Sequence, residues 1–305
     1  MTETTEIILE RFQVRKTRKQ KEEFTAWLTN YVTSVGYDIK IEKGLFRSRN
    51  IVIGNPEKAK VTFTAHYDTC AAMPIPNFIT PKNILVYLLY QLVLVCLIFL
   101  LSFCVTFAAS FLIPDFAPIF GLVSLYVLLF LMVAGPANKH TANDNTSGVT
   151  TVVDTLTKMP DELRNDVAFI LFDFEEIGLL GSYSYYRKHR KVMKNKLLVN
   201  FDCVSDGNNI LIVAQNSAEH FASYLQTSFS SDNGINVEVA TKGVFYPSDQ
   251  ANFPYGVGVA ALKKTKGGLL YMDKIHTKKD TVYEEKNIEF LCSGSIKLTE
   301  LLAKK

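Results

Sequence analysis

Side chains that can bind metal ions or transfer protons follow three short apolar runs of this sequence. The polar residues at these positions are His66, Asp68, Glu175, Glu176 and Asp202. Two polar loops supply a further carboxylate, Asp144, and a second imidazole, His276. Two histidines and several carboxylates, with no cysteine among them, suit Zn²⁺ better than Mg²⁺ or a thiolate-bound structural ion. The set therefore indicates a zinc site.

The adjacent carboxylates Glu175 and Glu176 are the most informative members of this set. Two like charges at the end of an apolar strand are unfavourable unless a cation or a proton compensates them. His66 and Asp68 form a second suggestive pair, because a metal-bound histidine commonly donates its other ring N–H to a carboxylate. Taken singly, each residue also fits an ordinary hydrogen-bonded or solvated position. Their joint occurrence favours the metal interpretation.

Strands and loops must bring these residues together. Short β-branched runs predict strands at residues 37–41, 50–53, 61–65, 167–174 and 197–201. The spacing of apolar residues predicts helices at residues 19–35, 147–158, 179–189 and 284–303. Apolar strands that alternate with helices indicate an α/β fold, with a mostly parallel mixed sheet sandwiched between helices. Because ligands bind at the carboxyl ends of such strands, the polar residues there are expected to meet.

The apolar surplus of the chain lies in one segment. Residues 84–114 and 116–138 contain no Asp, Glu, Lys or Arg, and only Asp115 separates them. A helix needs ~20 apolar residues to cross a bilayer, and a soluble core helix seldom runs that long without a polar face. We therefore predict a transmembrane helical hairpin at residues 83–135, inserted into a domain formed by residues 1–82 and 136–305. Two buried helices of a large soluble core are the alternative.

Composition excludes several classes of protein. Hydrophobic residues make up 48% of the 305 residues and charged residues 21%, which excludes a disordered chain. The formal charge of +3 is far below the cationic excess of nucleic-acid-binding proteins, so no nucleic acid partner is expected. Five cysteines without a CxxC pair indicate a reducing compartment rather than a disulfide framework.

Five segments resemble, in the same order, the di-zinc aminopeptidases of the leucyl aminopeptidase and aminopeptidase S type. The glutaminyl cyclases and the protease-like domain of the transferrin receptor are relatives of that family. The matching segments are TAHYDT (64–69), ANDNTSGV (142–149), FDFEEIGLLGS (172–182), NFD (200–202) and HTKKDT (276–281). SDQANF (248–253) is a weaker match, because the family often has His in place of Gln250. The resemblance covers the chain from about residue 19 onward apart from the apolar insertion, and it implies a zinc-exopeptidase-like fold.

The resemblance also implies the cofactors and the roles of the site residues. Two Zn²⁺ ions would be held, one by His66, Asp144 and Asp202, the other by Asp144, Glu176 and His276. Glu175 would be the general base, and Asp68 would support His66. Asp280 is expected to play a supporting part near His276, and the Asp144–Asn145 peptide bond is expected to be cis. The substrate would be a peptide, cleaved at its N-terminus.

Two other functions are compatible with the same fold. One is glutaminyl-cyclase-like acyl transfer on a single zinc, which uses a similar set of carboxylates. The other is a non-catalytic, peptidase-like binding module, although here all five ligand positions and the base are present. The GxGxxA pattern at residues 256–261 is not expected to bind a dinucleotide, because no strand is predicted before it.

The location of the protein follows from the insertion and its flanks. Lys82 and Lys139 flank the hairpin, whereas its tip carries Asp115 and no Lys or Arg. The positive-inside rule therefore places the main domain in the cytoplasm, and the N-terminal residues lack the features of a signal peptide. We expect an integral membrane protein that contacts the lipid bilayer through residues 84–134 and has a cytoplasmic catalytic domain.

Overall fold

A single mixed sheet organises the chain in the computed structural model, which describes residues 1–232 and 234–304. Within these residues the strands are β1 (Ile39–Lys43), β2 (Arg49–Gly54), β3 (Val61–His66), β4 (Val167–Phe172), β5 (Leu197–Phe201), β6 (Asn209–Val213), β7 (Asn236–Ala240), β8 (Gly256–Lys264) and β9 (Leu270–Tyr271). Their order is β1-β2-β4-β3-β5-β8-β6-β7, and β9 pairs with β8. The central strands β4, β3, β5 and β8 are mutually parallel, and antiparallel pairs flank them.

Helices cover both faces of this sheet. They are α1 (Glu3–Arg11), α2 (Arg18–Ser34), α5 (Gly148–Lys158), α6 (Leu180–Met193), α7 (Ala222–Ser228) and α8 (Glu285–Ala303). The larger hydrophobic core lies between one face and the helices α1, α2, α5, α7 and α8. On the other face, Tyr185 and Met193 of α6 pack against Ile170 and Phe172. The predicted α/β sandwich is confirmed.

The sequence patterns did not predict strands β6 to β9 or helices α1 and α7, and two further local differences separate the prediction from the structure. The strand expected over residues 167–174 ends at Phe172, since Phe174 has a left-handed backbone with φ of 59°. The GxGxxA pattern is not a loop but part of β8, buried in the middle of the sheet. Its first glycine, Gly256, lets the backbone of Gln250 pack directly against β8, because a Cβ at this position would lie 2.0 Å from the carbonyl oxygen of Gln250. A dinucleotide loop is therefore absent from this segment.

Two long apolar helices form the expected hairpin. They are α3 (Ile84–Ser110) and α4 (Ala117–Ala134), joined by a short 3₁₀ turn over Pro114–Phe116. Both are long and apolar enough to cross a membrane, and only 11% of the most apolar window of either helix is buried. The helices pack closely on each other where a Cβ on Gly121 would lie 1.8 Å from the Thr106 hydroxyl. This low burial disfavours the alternative of two helices inside a soluble core.

Candidate metal centre

The sheet brings the predicted site residues to one edge. His66 is the last residue of β3, Glu175 and Glu176 follow β4, and Asp202 follows β5. Since these three strands are parallel neighbours, their carboxyl ends lie side by side. The residues supplied by loops are Asp144, in the buried turn Ala142–Ser147 before α5, and His276, between β9 and α8.

The side chains form two groups that share Asp144. In the first group, His66 Nε2 lies 3.4 Å from Asp144 Oδ1 and 3.5 Å from Asp202 Oδ1. In the second, His276 Nε2 lies 3.1 Å from Asp144 Oδ2 and 3.5 Å from Glu176 Oε2. Tetrahedral ligands at ~2.0–2.1 Å from a zinc ion lie about 3.3 Å from one another. The measured separations therefore fit one metal ion in each group, with one oxygen of Asp144 facing each.

Unpaired buried oxygens give a second test of this fit. Glu176 Oε1 and Asp202 Oδ1 are buried and have no hydrogen-bond partner within the described residues. A buried carboxylate oxygen without a partner is unfavourable unless a cation compensates it. Nitrogen and carboxylate donors of this kind are the ligands that zinc takes in catalytic sites. The residues present thus fit the predicted metal ions.

Burial and the close spacing of the carboxylates shift the pKa values of the site residues, and a bound cation would oppose the shifts of the carboxylates. Burial, together with the neighbouring Asp202 and Asp144 carboxylates, raises the pKa values of Glu175 and Glu176. Burial lowers the pKa of His66, but the carboxylates of Glu175, Asp144 and Asp202 outweigh it and raise that pKa overall. A metal ion binds neutral imidazole and ionised carboxylate, so it would replace these protons.

Asp68 supports the site in two ways. Its backbone carbonyl lies 3.0 Å from His66 Nδ1, closer than its own carboxylate at 3.7 Å. That carboxylate instead accepts hydrogen bonds from the backbone N–H groups of Glu175 and Glu176, at 3.1 and 3.3 Å. Asp68 therefore orients the imidazole through its main chain and fixes the Glu175–Glu176 loop through its side chain.

Asp280 supports the loop that carries Asp144. Its two carboxylate oxygens accept hydrogen bonds from the backbone N–H groups of Asn143 and Asp144, both at 2.9 Å. Burial raises the pKa of Asp280 to about 7, and the Asp144 carboxylate adds to this shift. Asp280, which was expected to support the site near His276, therefore supports the loop of Asp144. The Asp144–Asn145 peptide bond is cis, which confirms that prediction.

Three residues near the site were given no role by the sequence analysis. Arg15 is fully buried and donates from Nε to the carbonyl of Tyr67 and from its guanidinium to Thr146 Oγ1, at 2.6 and 3.2 Å. Cys70 is buried beside the second group, and burial raises the pKa of its thiol. Asp249 has two buried oxygens without a hydrogen bond in the described residues, and burial raises its pKa to about 7. Only Asp249 had a sequence signal, in the SDQANF segment.

A mixed α/β sheet with histidines and carboxylates at the carboxyl edge of its central strands is the architecture of zinc exopeptidases. Residues 126–290 match Peptidase family M28, which is more than half of the 305-residue chain. The chain belongs to this family. Membership makes it a metallopeptidase-like protein, implies zinc as the metal and implies peptides as substrates. A comparison with curated protein sequences gives no match.

Solved structures share the fold at low sequence identity. The LapA aminopeptidase of Legionella pneumophila is 14% identical over 99% of this chain and 70% of its own, with a TM-score of 0.58. A leucine aminopeptidase precursor from Bacteroides thetaiotaomicron is 13% identical over 96% of this chain and 93% of its own, with a TM-score of 0.58. A glutaminyl cyclase from the same organism is 12% identical over 96% of this chain and 94% of its own, with a TM-score of 0.57. The predicted fold and family are confirmed.

Proposed function

We propose that this protein is a membrane-anchored di-zinc aminopeptidase. The observation that carries the proposal is the position of Asp144, whose two oxygens face separate groups of metal-ligand side chains. His66 and Asp202 complete one group, and Glu176 and His276 complete the other. A single shared carboxylate is the arrangement needed to hold two metal ions ~3.5–4 Å apart.

The remaining carboxylate, Glu175, is the candidate general base. When bound, two zinc ions would lower the pKa of a water molecule and polarise the scissile carbonyl. Glu175 lies within 4.8 Å of atoms of His66 and Glu176, yet neither group needs it as a ligand. Its carboxylate is therefore available to take a proton from the attacking water and return it to the leaving amine. The hydrogen bond from its backbone N–H to Asp68 keeps it in place.

Metal counting and substrate tests distinguish this function from a cyclase. We expect two zinc ions per chain in the purified full-length protein, and release of the N-terminal residue from a panel of aminoacyl amides. Cyclisation of peptides with an N-terminal glutamine, with one zinc per chain, would instead assign the glutaminyl cyclase function. Bound zinc with neither reaction would favour a binding module.

Asp280→Asn is expected to weaken zinc binding about 10–100-fold, the usual effect of losing an outer-shell partner of a metal ligand. The reason is that an amide cannot accept from both Asn143 and Asp144, so the Asp144 loop loses part of its support. Chelator titration followed by metal analysis measures the effect. Asp154→Asn is the matched control, since Asp154 is also buried but accepts hydrogen bonds from Thr2 and Thr5. Equal zinc retention in both variants would contradict the role of Asp280.

The membrane anchor in this proposal is the hairpin of α3 and α4. Most of its side chains are apolar and exposed, including Leu88, Leu92, Phe99 and Phe130. In a bilayer the two helices would satisfy their backbone hydrogen bonds internally and bury this surface in lipid. Residues 1–82 and 136–305 would then form one cytoplasmic domain, interrupted by the hairpin at residues 83–135.

Fractionation and cysteine labelling test the anchor and its orientation. We expect the protein to stay in membranes after alkaline carbonate extraction, because about 20 apolar residues per helix suffice for stable insertion. In a cysteine-free variant, Asp115→Cys should react with an impermeant reagent on intact cells. Lys297→Cys, on the exposed face of α8, should react only after permeabilisation. Release by carbonate would refute integration, and the reverse labelling pattern would refute the orientation.

A further inference from the structure

A basic cavity lies beside the metal centre, on the other side of the loop that carries Glu175. Its volume is about 740 Å³. The cationic residues that line it are Lys16, Arg18, Lys21, Lys43, Arg47 and Arg49. Only two acidic residues, Glu22 and Asp173, line it as well. None of these residues belongs to the groups that face Asp144, so the cavity is a separate feature of the protein.

The two acids do not neutralise the cavity. Asp173 is 2.6 Å from Lys21, and Glu22 is 2.9 Å from Arg18 and 2.7 Å from Arg49. Lys43 and Arg47 form no ion pair within residues 1–232 and 234–304. Six cations against two carboxylates leave a surplus of positive charge in a concave site. Such a site concentrates anions from the surrounding solution or surface.

Contacts place the cavity at the base of the apolar hairpin. The ammonium group of Lys16 donates a hydrogen bond of 2.7 Å to the carbonyl of Val133, in the last turn of α4. Phe46 lines the cavity and exposes 76% of its surface, and its chain neighbour Leu45 exposes 42%. Exposed aromatic residues among Lys and Arg are typical of surfaces that lie at the headgroup level of a membrane.

We propose that this cavity binds the phosphate of an anionic phospholipid of the bilayer that holds the hairpin, with Leu45 and Phe46 inserted at the interface. The inference rests on the membrane anchoring proposed above. Lys43 and Arg47, which form no ion pair within the part of the chain that the structure describes, contact the phosphate, and Lys16 fixes the cavity to the end of α4. An acidic peptide is the competing occupant, but the exposed apolar rim and the contact with the hairpin favour the lipid.

A lipid in this cavity would lie against the segment that leads into the Glu175–Glu176 loop. The ring of Phe174 lines the cavity and lies 4.2 Å from the ammonium group of Lys21. Glu175, the next residue, belongs to the metal centre. A headgroup that draws Lys21 toward the phosphate therefore acts on the loop that holds the general base. The anionic lipid would fix both the orientation of the domain on the bilayer and the position of this loop.

Lipid titration of the full-length protein in detergent tests the cavity. Native mass spectrometry with dihexanoyl phosphatidylserine should show one site, whereas dihexanoyl phosphatidylcholine should not occupy it. The double variant Lys43→Gln/Arg47→Asn should bind phosphatidylserine about 30-fold more weakly. Each cation near an anionic lipid surface raises the affinity about fivefold, and the two factors multiply. Asn suits position 47, where φ is 69°. The control Lys297→Gln/Lys304→Gln removes the same charge from α8 and the residue that follows it, and should bind as the wild type does.

A fluorescence measurement in bilayers tests the rim. In nanodiscs that contain brominated phosphatidylserine, the new indole of Phe46→Trp should be quenched strongly, whereas Trp27 of the wild type packs against the core and should not. Equal binding of both lipids, or unchanged affinity in the double variant, would overturn the proposal. So would glycerophosphoserine binding as tightly as the lipid, or an acidic peptide binding more tightly. Carbonate extraction of the membranes from which the protein is purified distinguishes these outcomes from a failure of the anchor.

Discussion

Glu175→Gln is expected to keep the fold and both zinc ions and to hydrolyse peptides about 10²–10⁴-fold more slowly, the usual contribution of a general base. The amide has nearly the same shape as the carboxylate but cannot accept a proton from water. The backbone N–H of residue 175 can still bond to Asp68, so the loop keeps its support. Steady-state kinetics and metal analysis on the same sample measure the two properties separately.

Controls separate proton transfer from simple disturbance of the site. Glu289→Gln makes the same chemical change on the exposed face of α8 and should leave activity unchanged. Glu175→Asp keeps a carboxylate in a displaced position and should recover part of the lost rate. A Glu175→Gln enzyme with more than about half of the wild-type activity would exclude Glu175 as the base. Loss of zinc from that variant would make it a ligand instead.

Asp144→Asn is expected to remove both zinc ions and all measurable hydrolysis. Asp144 places one carboxylate oxygen 3.4 Å from His66 Nε2 and the other 3.1 Å from His276 Nε2. An amide has one acceptor oxygen in place of two anionic ones, so it cannot serve both groups. Metal analysis after dialysis should give two ions for the wild type and none for the variant. Retention of two ions would refute the shared-ligand arrangement.

Variants of the unshared ligands provide the comparison for Asp144. Asp202→Asn should weaken only the site at His66, and Glu176→Gln only the site at His276, since each belongs to one group. Thermal unfolding gives an independent measure, because a metal that binds the folded state alone raises the unfolding temperature with its concentration. Added zinc should stabilise the wild type and both single-site variants, but not Asp144→Asn. Identical behaviour of all three variants would contradict two separate groups.

Local sequence patterns were enough to predict which residues lie together at the candidate metal centre. His66, Glu175, Glu176 and Asp202 each follow an apolar run, and apolar runs that alternate with helices form parallel strands whose carboxyl ends meet. The hairpin was equally predictable, because a segment as long as residues 84–114 without a charged residue is typical of a helix that crosses a membrane. These features depend on local patterns, which a sequence displays directly.

The packing of distant segments sets which side chains support those residues. The sequence does not show that Asp68 would bind backbone N–H groups of Glu175 and Glu176, or that Asp280 would hold the Asp144 loop. Arg15 has the sequence surroundings of a surface residue, yet it is fully buried. The basic cavity joins residues 16–25, 43–49, 67 and 173–174, which are far apart in the chain. Such contacts depend on how distant segments pack, and no local propensity or periodicity encodes that packing.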